Sequence, residues 1–179
     1  MKKTVFSFGL LSGLIIIVYS VAVFLFFGDF AKMSSEDIDK VEKLGFLRYV
    51  ILALTIIFSI RYFQKQQRGE AGFKQLFLAG TYTALVVATL VGLMEFVYLF
   101  VNPDFMEQYA SMTTERLKAQ GASAAAIASH QNEMQSMKWM ANPTAMGAFY
   151  FLETAIIGTV LSLIVALVLR KQKLKPAMA

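Results

Sequence analysis

Three long apolar runs punctuate the chain. Thr4–Phe27 carries no charge, Leu76–Val101 carries only Glu95, and Ala145–Leu169 carries only Glu153. A helix rises about 1.5 Å per residue, so about 20 apolar residues cross the hydrocarbon of a bilayer. Each run is long enough to do so. A fourth stretch, Leu44–Phe63, has Arg48 and Arg61 near its ends and is free of charge only over Tyr49–Ile60. Long arginine side chains can reach the interface from such positions, so this stretch is expected to span, with a re-entrant or surface helix as the alternative.

The polar residues between the runs decide for four spans. Lys2 and Lys3 precede the first run. Arg61, Lys65, Arg68 and Lys74 follow the second, and Arg170, Lys171, Lys173 and Lys175 follow the last. With four spans these residues share one side with a single acid, Glu70, while the opposite side carries more acids than bases. That excess marks the cytoplasmic side. Three spans would put the basic tail on the wrong side. The first run is far longer than the 7–15 apolar residues of a signal peptide and lacks a clear small-x-small cleavage site, so it is expected to be a retained anchor.

Between the spans, Gly28–Lys43 reads as a solvated connector in which Ser34 or Ser35 can cap a helical turn. Gln64–Lys74 reads as a short basic hairpin held by anionic head groups. Residues 102–143 are bracketed by Asn102-Pro103 and Asn142-Pro143, and each pair offers an N-cap followed by a first helical residue. Gly121 suits a helix end and Ser123 the next cap. The spacing predicts helices Pro103–Gln120 and Ala124–Met140. Phe105, Tyr109, Met112 and Arg116 recur at helical intervals, as do Ile127, His130, Met134 and Met137. These stripes can pack on each other, lie on lipid, or meet a partner, and Trp139 and Tyr109 suit an interface. The predicted fold is all-α: an integral membrane four-helix bundle, one domain, with spans at about 4–27, 44–63, 76–101 and 144–169. A two-helix outer (extracytoplasmic) hairpin at 102–143 is inserted between spans three and four.

Composition agrees with this placement. The 179 residues are 57% hydrophobic and 16% charged, against about 45–50% and about 25% in soluble domains. The net charge of +5 is read as topological anchoring and not as a nucleic-acid footprint. Without cysteine there are no disulfides, thiolate nucleophiles or cysteine-ligated metals.

Four features resemble a bacterial family of small membrane proteins, domain of unknown function 4199. Lys2-Lys3 stand ahead of a Gly-containing first span. The third span closes in Tyr98 and then Asn102-Pro103-Asp104-Phe105. A polar helical insert of about forty residues follows, and a Gly-containing last span runs into a basic tail. The resemblance covers nearly the whole chain. It implies a four-helix membrane protein and supplies no activity or catalytic residue.

Candidate chemistry centres on Glu95 and Glu153. A carboxylate in hydrocarbon is expensive, so such groups usually face protein or water and often serve function. In the four-span arrangement both lie in the outer half of the membrane, and either can act as an ion or proton site. Gly80, Ala84, Ala88 and Gly92 recur every four residues, a small-residue seam that lets helices approach closely. Glu95 points within roughly 20° of Ala84 and Ala88. Glu153 lies roughly opposite Ser162, away from the small face Ala155, Thr159, Ser162 and Ala166. Its own face, with Met146, Phe149 and Val160, then needs another neighbour such as a second subunit, which argues against a Glu95–Glu153 pair. The simpler reading is structural, each acid bonded to a tyrosine one turn away, Tyr98 for Glu95 and Tyr150 for Glu153.

Two weaker patterns remain. His130 with Met134, Met137 and Met140 has the ligand types of a Cu(I) site, but methionine more often fills an apolar stripe, so no metal or other cofactor is expected. Gly9 and Gly13, continued by Ile16 and Ser20, fit close helix packing within the bundle or between subunits. Enzyme signatures such as His-Glu-x-x-His or a glycine-rich phosphate loop are absent.

The expected role is a non-enzymatic interaction or accessory component of a bacterial inner membrane, both termini cytoplasmic. Its partners would be the lipid bilayer and a second copy or another membrane protein. The alternative is a small proton- or cation-coupled carrier.

Overall fold

The computed structural model describes residues 2–27 and 35–170. It is all-helical among them. The helices are α1 (Lys2–Phe27), α2 (Ser35–Gly45), α3 (Leu47–Gln66), α4 (Phe73–Val101), α5 (Phe105–Ala119), α6 (Ala124–Ser136) and α7 (Pro143–Leu169), with a 3-10 turn at Lys138–Ala141. The cap proposed for Ser34 or the Ser35 side chain, and the Lys171, Lys173 and Lys175 tail, lie outside the described residues. Helices α1, α3, α4 and α7 are long and apolar enough to cross a membrane.

Their side-chain contacts fix the directions. Gly9 and Gly13 of α1 meet Val86 and Leu90 of α4 in that order, so these helices run parallel. Helix α3 runs against both, with Ser12 and Thr55 hydroxyls 2.6 Å apart and Ser59 and Thr83 hydroxyls 2.7 Å apart. Helix α7 runs against α4, pairing Gly92 with Gly147, Ala84 with Gly158 and Gly80 with Ser162. The result is an up-down-up-down bundle. Helix α3 traverses it fully, from Arg48 beside Glu153 at one end to Gln64, which donates to the Leu169 carbonyl, at the other. Both outer ends of the four-helix path, the start of α1 and the finish of α7, therefore emerge together.

Small residues set how close α4 and α7 come. A Cβ added at Gly92 would lie 2.8 Å from the Gly147 carbonyl oxygen, and one at Gly80 would lie 2.6 Å from Ser162 Oγ. Backbones at this range gain dispersion along their whole length, which is what holds helices together when lipid tails are as apolar as leucine. The buried face of α7 is Met146, Gly147, Thr154, Gly158, Ser162, Ala166 and Leu169. This corrects the face expected from Ala155 and Thr159, which are only half-buried. The two missing Cβ atoms at Gly147 and Gly158 turn the close approach toward their own side.

The polar segment shows three of the expected boundaries and corrects two. Ser123 Oγ accepts from the Ala126 N–H, and Asn142 Oδ1 accepts from the Thr144 and Ala145 N–H groups ahead of Pro143. Gly121 takes φ +72°, where glycine is free of Cβ strain, and the Ala122 N–H returns to the Leu117 carbonyl. Asn102, however, does not start α5. Its amide donates back to the Tyr98 carbonyl and finishes α4, which leaves Asp104 as the residue before α5. Likewise α6 stops at Ser136, short of Met140, and passes into the 3-10 turn. Helices α5 and α6 are tied by a 2.8 Å hydrogen bond between Thr113 and His130.

Candidate functional site

The site begins at a break. Helix α2 ends at Gly45 and α3 starts at Leu47, so the carbonyls at the end of α2 lose their helical partners. Tyr19 of α1 donates to the Leu44 carbonyl at 2.9 Å and satisfies one of them. The break sets the first turn of α3 so that Arg48 and Tyr49 face α7. Arg48 Nη2 donates to Glu153 Oε2 at 3.2 Å and to the Tyr49 hydroxyl at 2.6 Å, and that hydroxyl donates to Glu153 Oε1 at 2.6 Å. Both carboxylate oxygens are therefore engaged. The guanidinium carbon lies 4.7 Å from the centre of the Tyr49 ring and 4.8 Å from that of Tyr150, where the ring quadrupoles add to the stabilisation of the cation.

Glu153 thus meets α3. Helix α3 supplies the neighbours of the Glu153 face. Its hydroxyl donor is Tyr49, with Tyr150 serving as a ring beneath Arg48. The pair is partly buried: the Arg48 side chain is 22% exposed and that of Glu153 26%. Sequence reasoning treated Arg48 only as a flank of the weakest span and did not single out Tyr49. The available signal was electrostatic, a lone cation in an apolar run that also needs a partner.

Glu95 approaches the same cluster from α4. It is half-buried, within electrostatic range of both Arg48 and Glu153. No hydrogen bond or ion pair reaches its carboxyl among the described residues. Tyr98, one turn on, does not bond to it; the ring sits edge-on to Phe24 and Phe105, with centroids 5.1 and 5.2 Å away. Only Glu153 is in contact with the arginine; Glu95 interacts with the pair through space, without a bond to either.

The remaining candidates lie elsewhere. Gly80, Ala84, Ala88 and Gly92 are buried on α4, and Gly9 and Gly13 are buried on α1. Met134, Met137 and Met140 are half-buried, and His130 is engaged with Thr113. Among the described residues, no three His, Cys, Asp or Glu side chains are grouped to hold a metal ion.

The family model described as protein of unknown function (DUF4199) matches residues 7–171. The chain belongs to this family. No curated protein and no solved structure matches it. In this DUF4199 member, then, the matched region contains all of α3, α4 and α7, most of α1 and every residue of the Arg48–Glu153 cluster, and the chemistry has to be argued from that geometry.

Proposed function

We propose that this DUF4199 protein is a four-span, non-enzymatic component of a bacterial inner membrane, with both termini cytoplasmic and α5 and α6 forming an outer hairpin. It acts through contacts with a second copy or with another membrane protein. The observation that carries this reading is how fully the interior is committed to itself. Both Glu153 oxygens are engaged by Arg48 and Tyr49, Ser59 and Thr83 bond to each other, and glycine contacts leave α4 and α7 no room for an added methyl group. Such an interior favours a scaffold over a moving carrier. Purification of the intact chain in mild detergent tests it: a specific membrane protein or second copy is expected to co-purify at fixed stoichiometry.

A second reading, a small proton- or cation-coupled carrier, is favoured by one observation. Glu95 brings a carboxyl to the cluster without a bonded partner of its own. Flux into proteoliposomes, present in wild type and lost in Glu95→Gln, would select the carrier; no flux above empty liposomes would select the scaffold.

A further inference from the structure

The outward face of α3 changes character along its length. Val50, Leu54 and Phe58 are exposed and apolar, and Arg61, Lys65 and Arg68 continue the same line into charge, all three exposed. Spacings of three and four residues keep the line on one side of the helix, with Arg68 just past its last turn. The apolar part rises about 12 Å, most of one leaflet of a hydrocarbon core about 30 Å thick. Tyr62 stands beside Arg61, exposed and packed on Phe8 of α1 with ring centroids 5.5 Å apart. Tyrosines collect at the boundary between hydrocarbon and head groups. The change from apolar to basic therefore falls where the chains of a lipid give way to its phosphate.

The three cations have no counter-charge. Among the described residues none of them forms an ion pair, and Glu70 is the only acid between Arg61 and Lys74. Like charges three and four residues apart repel each other. A helix C-terminus favours a nearby cation, which accounts for Lys65 and not for three in one line. Arg68 adds backbone strain, because it holds φ +52°, where a Cβ is crowded. Orientation during insertion asks only for basic residues at this end, which Lys3, Lys74 and Arg170 also supply.

We propose that this face of α3 binds one anionic glycerophospholipid, with its phosphate on Arg61, Lys65 and Arg68 and a fatty chain along Phe58, Leu54 and Val50. Charge at one end and apolar length at the other select this occupant. A soluble anion would leave the apolar line unused, and a zwitterionic lipid carries its own cation beside the phosphate. The proposal rests on α3 crossing a bilayer, as in the four-span reading, and not on the scaffold or carrier role.

The test is tryptophan fluorescence in vesicles. The chain has one tryptophan, Trp139, so Trp139→Phe gives a silent full-length background for reporters. Phe58→Trp reports from the proposed site. Leu163→Trp reports from the exposed face of α7 at the same depth, because Arg48 meets Glu153 and Gln64 meets Leu169 at the same offset between α3 and α7. Each protein is reconstituted in phosphatidylcholine vesicles holding a minor fraction of phosphatidylglycerol or phosphatidylcholine with brominated chains, which quench on contact. Brominated phosphatidylglycerol is expected to quench Phe58→Trp more strongly than brominated phosphatidylcholine, and the two to quench Leu163→Trp equally. Adding Arg61→Gln and Lys65→Gln is expected to lower the preference about 25-fold, about fivefold for each cation at an anionic surface. Lys3→Gln with Lys74→Gln removes the same charge from the same end and is expected to keep the preference. Equal quenching of Phe58→Trp by both lipids overturns the proposal. So does an equal preference at Phe58→Trp and Leu163→Trp, which would mean attraction to the whole end of the bundle. Should the Arg61 and Lys65 variants fold poorly, the two reporters alone still decide. Alkaline carbonate extraction reads insertion separately. Release of the protein would sink the four-span reading and this proposal with it, whereas an inserted protein without the preference sinks the lipid site alone.

Discussion

At the scale of the residue, charge in an apolar interior is decided by which atoms meet. Arg48 serves Glu153, Tyr49 and two aromatic rings at once, a use that needs a planar donor fork and a flat face. Lysine keeps the charge and loses both. Arg48→Lys is therefore expected to lower stability by about 1–3 kcal/mol, seen as a fall in Tm. The exposed Arg61→Lys should leave Tm unchanged; equal effects would show that Arg48 contributes charge alone. Glycine gives a second contrast. An alanine Cβ at Gly92 would press on the Gly147 carbonyl, and one at Gly45 would meet nothing within 4 Å. Gly92→Ala is expected to cost about 1–3 kcal/mol through forced separation of α4 and α7, and Gly45→Ala to be neutral or slightly stabilising. Reversal of that order in thermal unfolding would remove the close-packing account. The sequence made Glu95 and Glu153 conspicuous because a carboxylate has no ordinary reason to sit in an apolar run. It could not join Glu153 to Arg48, because periodicity gives each side chain an angle about its own helix and no neighbour.

At the scale of the element, what was legible was whatever the chain states locally. Apolar length marked the four long helices, Gly121 and Ser123 marked the turn after α5, and Asn142-Pro143 marked the start of α7. Asn142 accepts two backbone N–H groups, so Asn142→Ala is expected to cost about 1 kcal/mol. A Tm indistinguishable from wild type would mean that packing alone holds the end of α7. What was not legible was any choice between two equally good local signals. Asn102-Pro103 has the same form as Asn142-Pro143, yet Asn102 turns back to the Tyr98 carbonyl and closes the preceding helix. The packed face of α7 was misjudged for a related reason. In lipid both faces of a helix are apolar, so hydrophobic periodicity loses its power to tell inside from outside. Only the small residues remain as a guide, and Ala155, Gly158, Thr159 and Ser162 spread around more than one side.

At the scale of the molecule, alternation of the four long helices ties their ends into two groups. Arg61, Lys65, Arg68 and Lys74 lie around the α3–α4 connection, beside the end of α7, where Arg170 sits 5.9 Å from the Phe73 ring centre. Helices α2, α5 and α6 lie at the other end, beyond the first turn of α3 and the last turn of α4. Basic residues at one end and a longer helical segment at the other are the asymmetry that sets orientation during insertion. The chain has no cysteine, so single exposed cysteines report location without background. Gln67→Cys, in the α3–α4 connection, is expected to react with a membrane-impermeant maleimide only after the cells are opened. Gln131→Cys, on α6, is expected to react in intact cells whose outer membrane has been made permeable. Labelling of both from the same side would break the alternation itself, and exchange of the two results would keep the bundle but invert it.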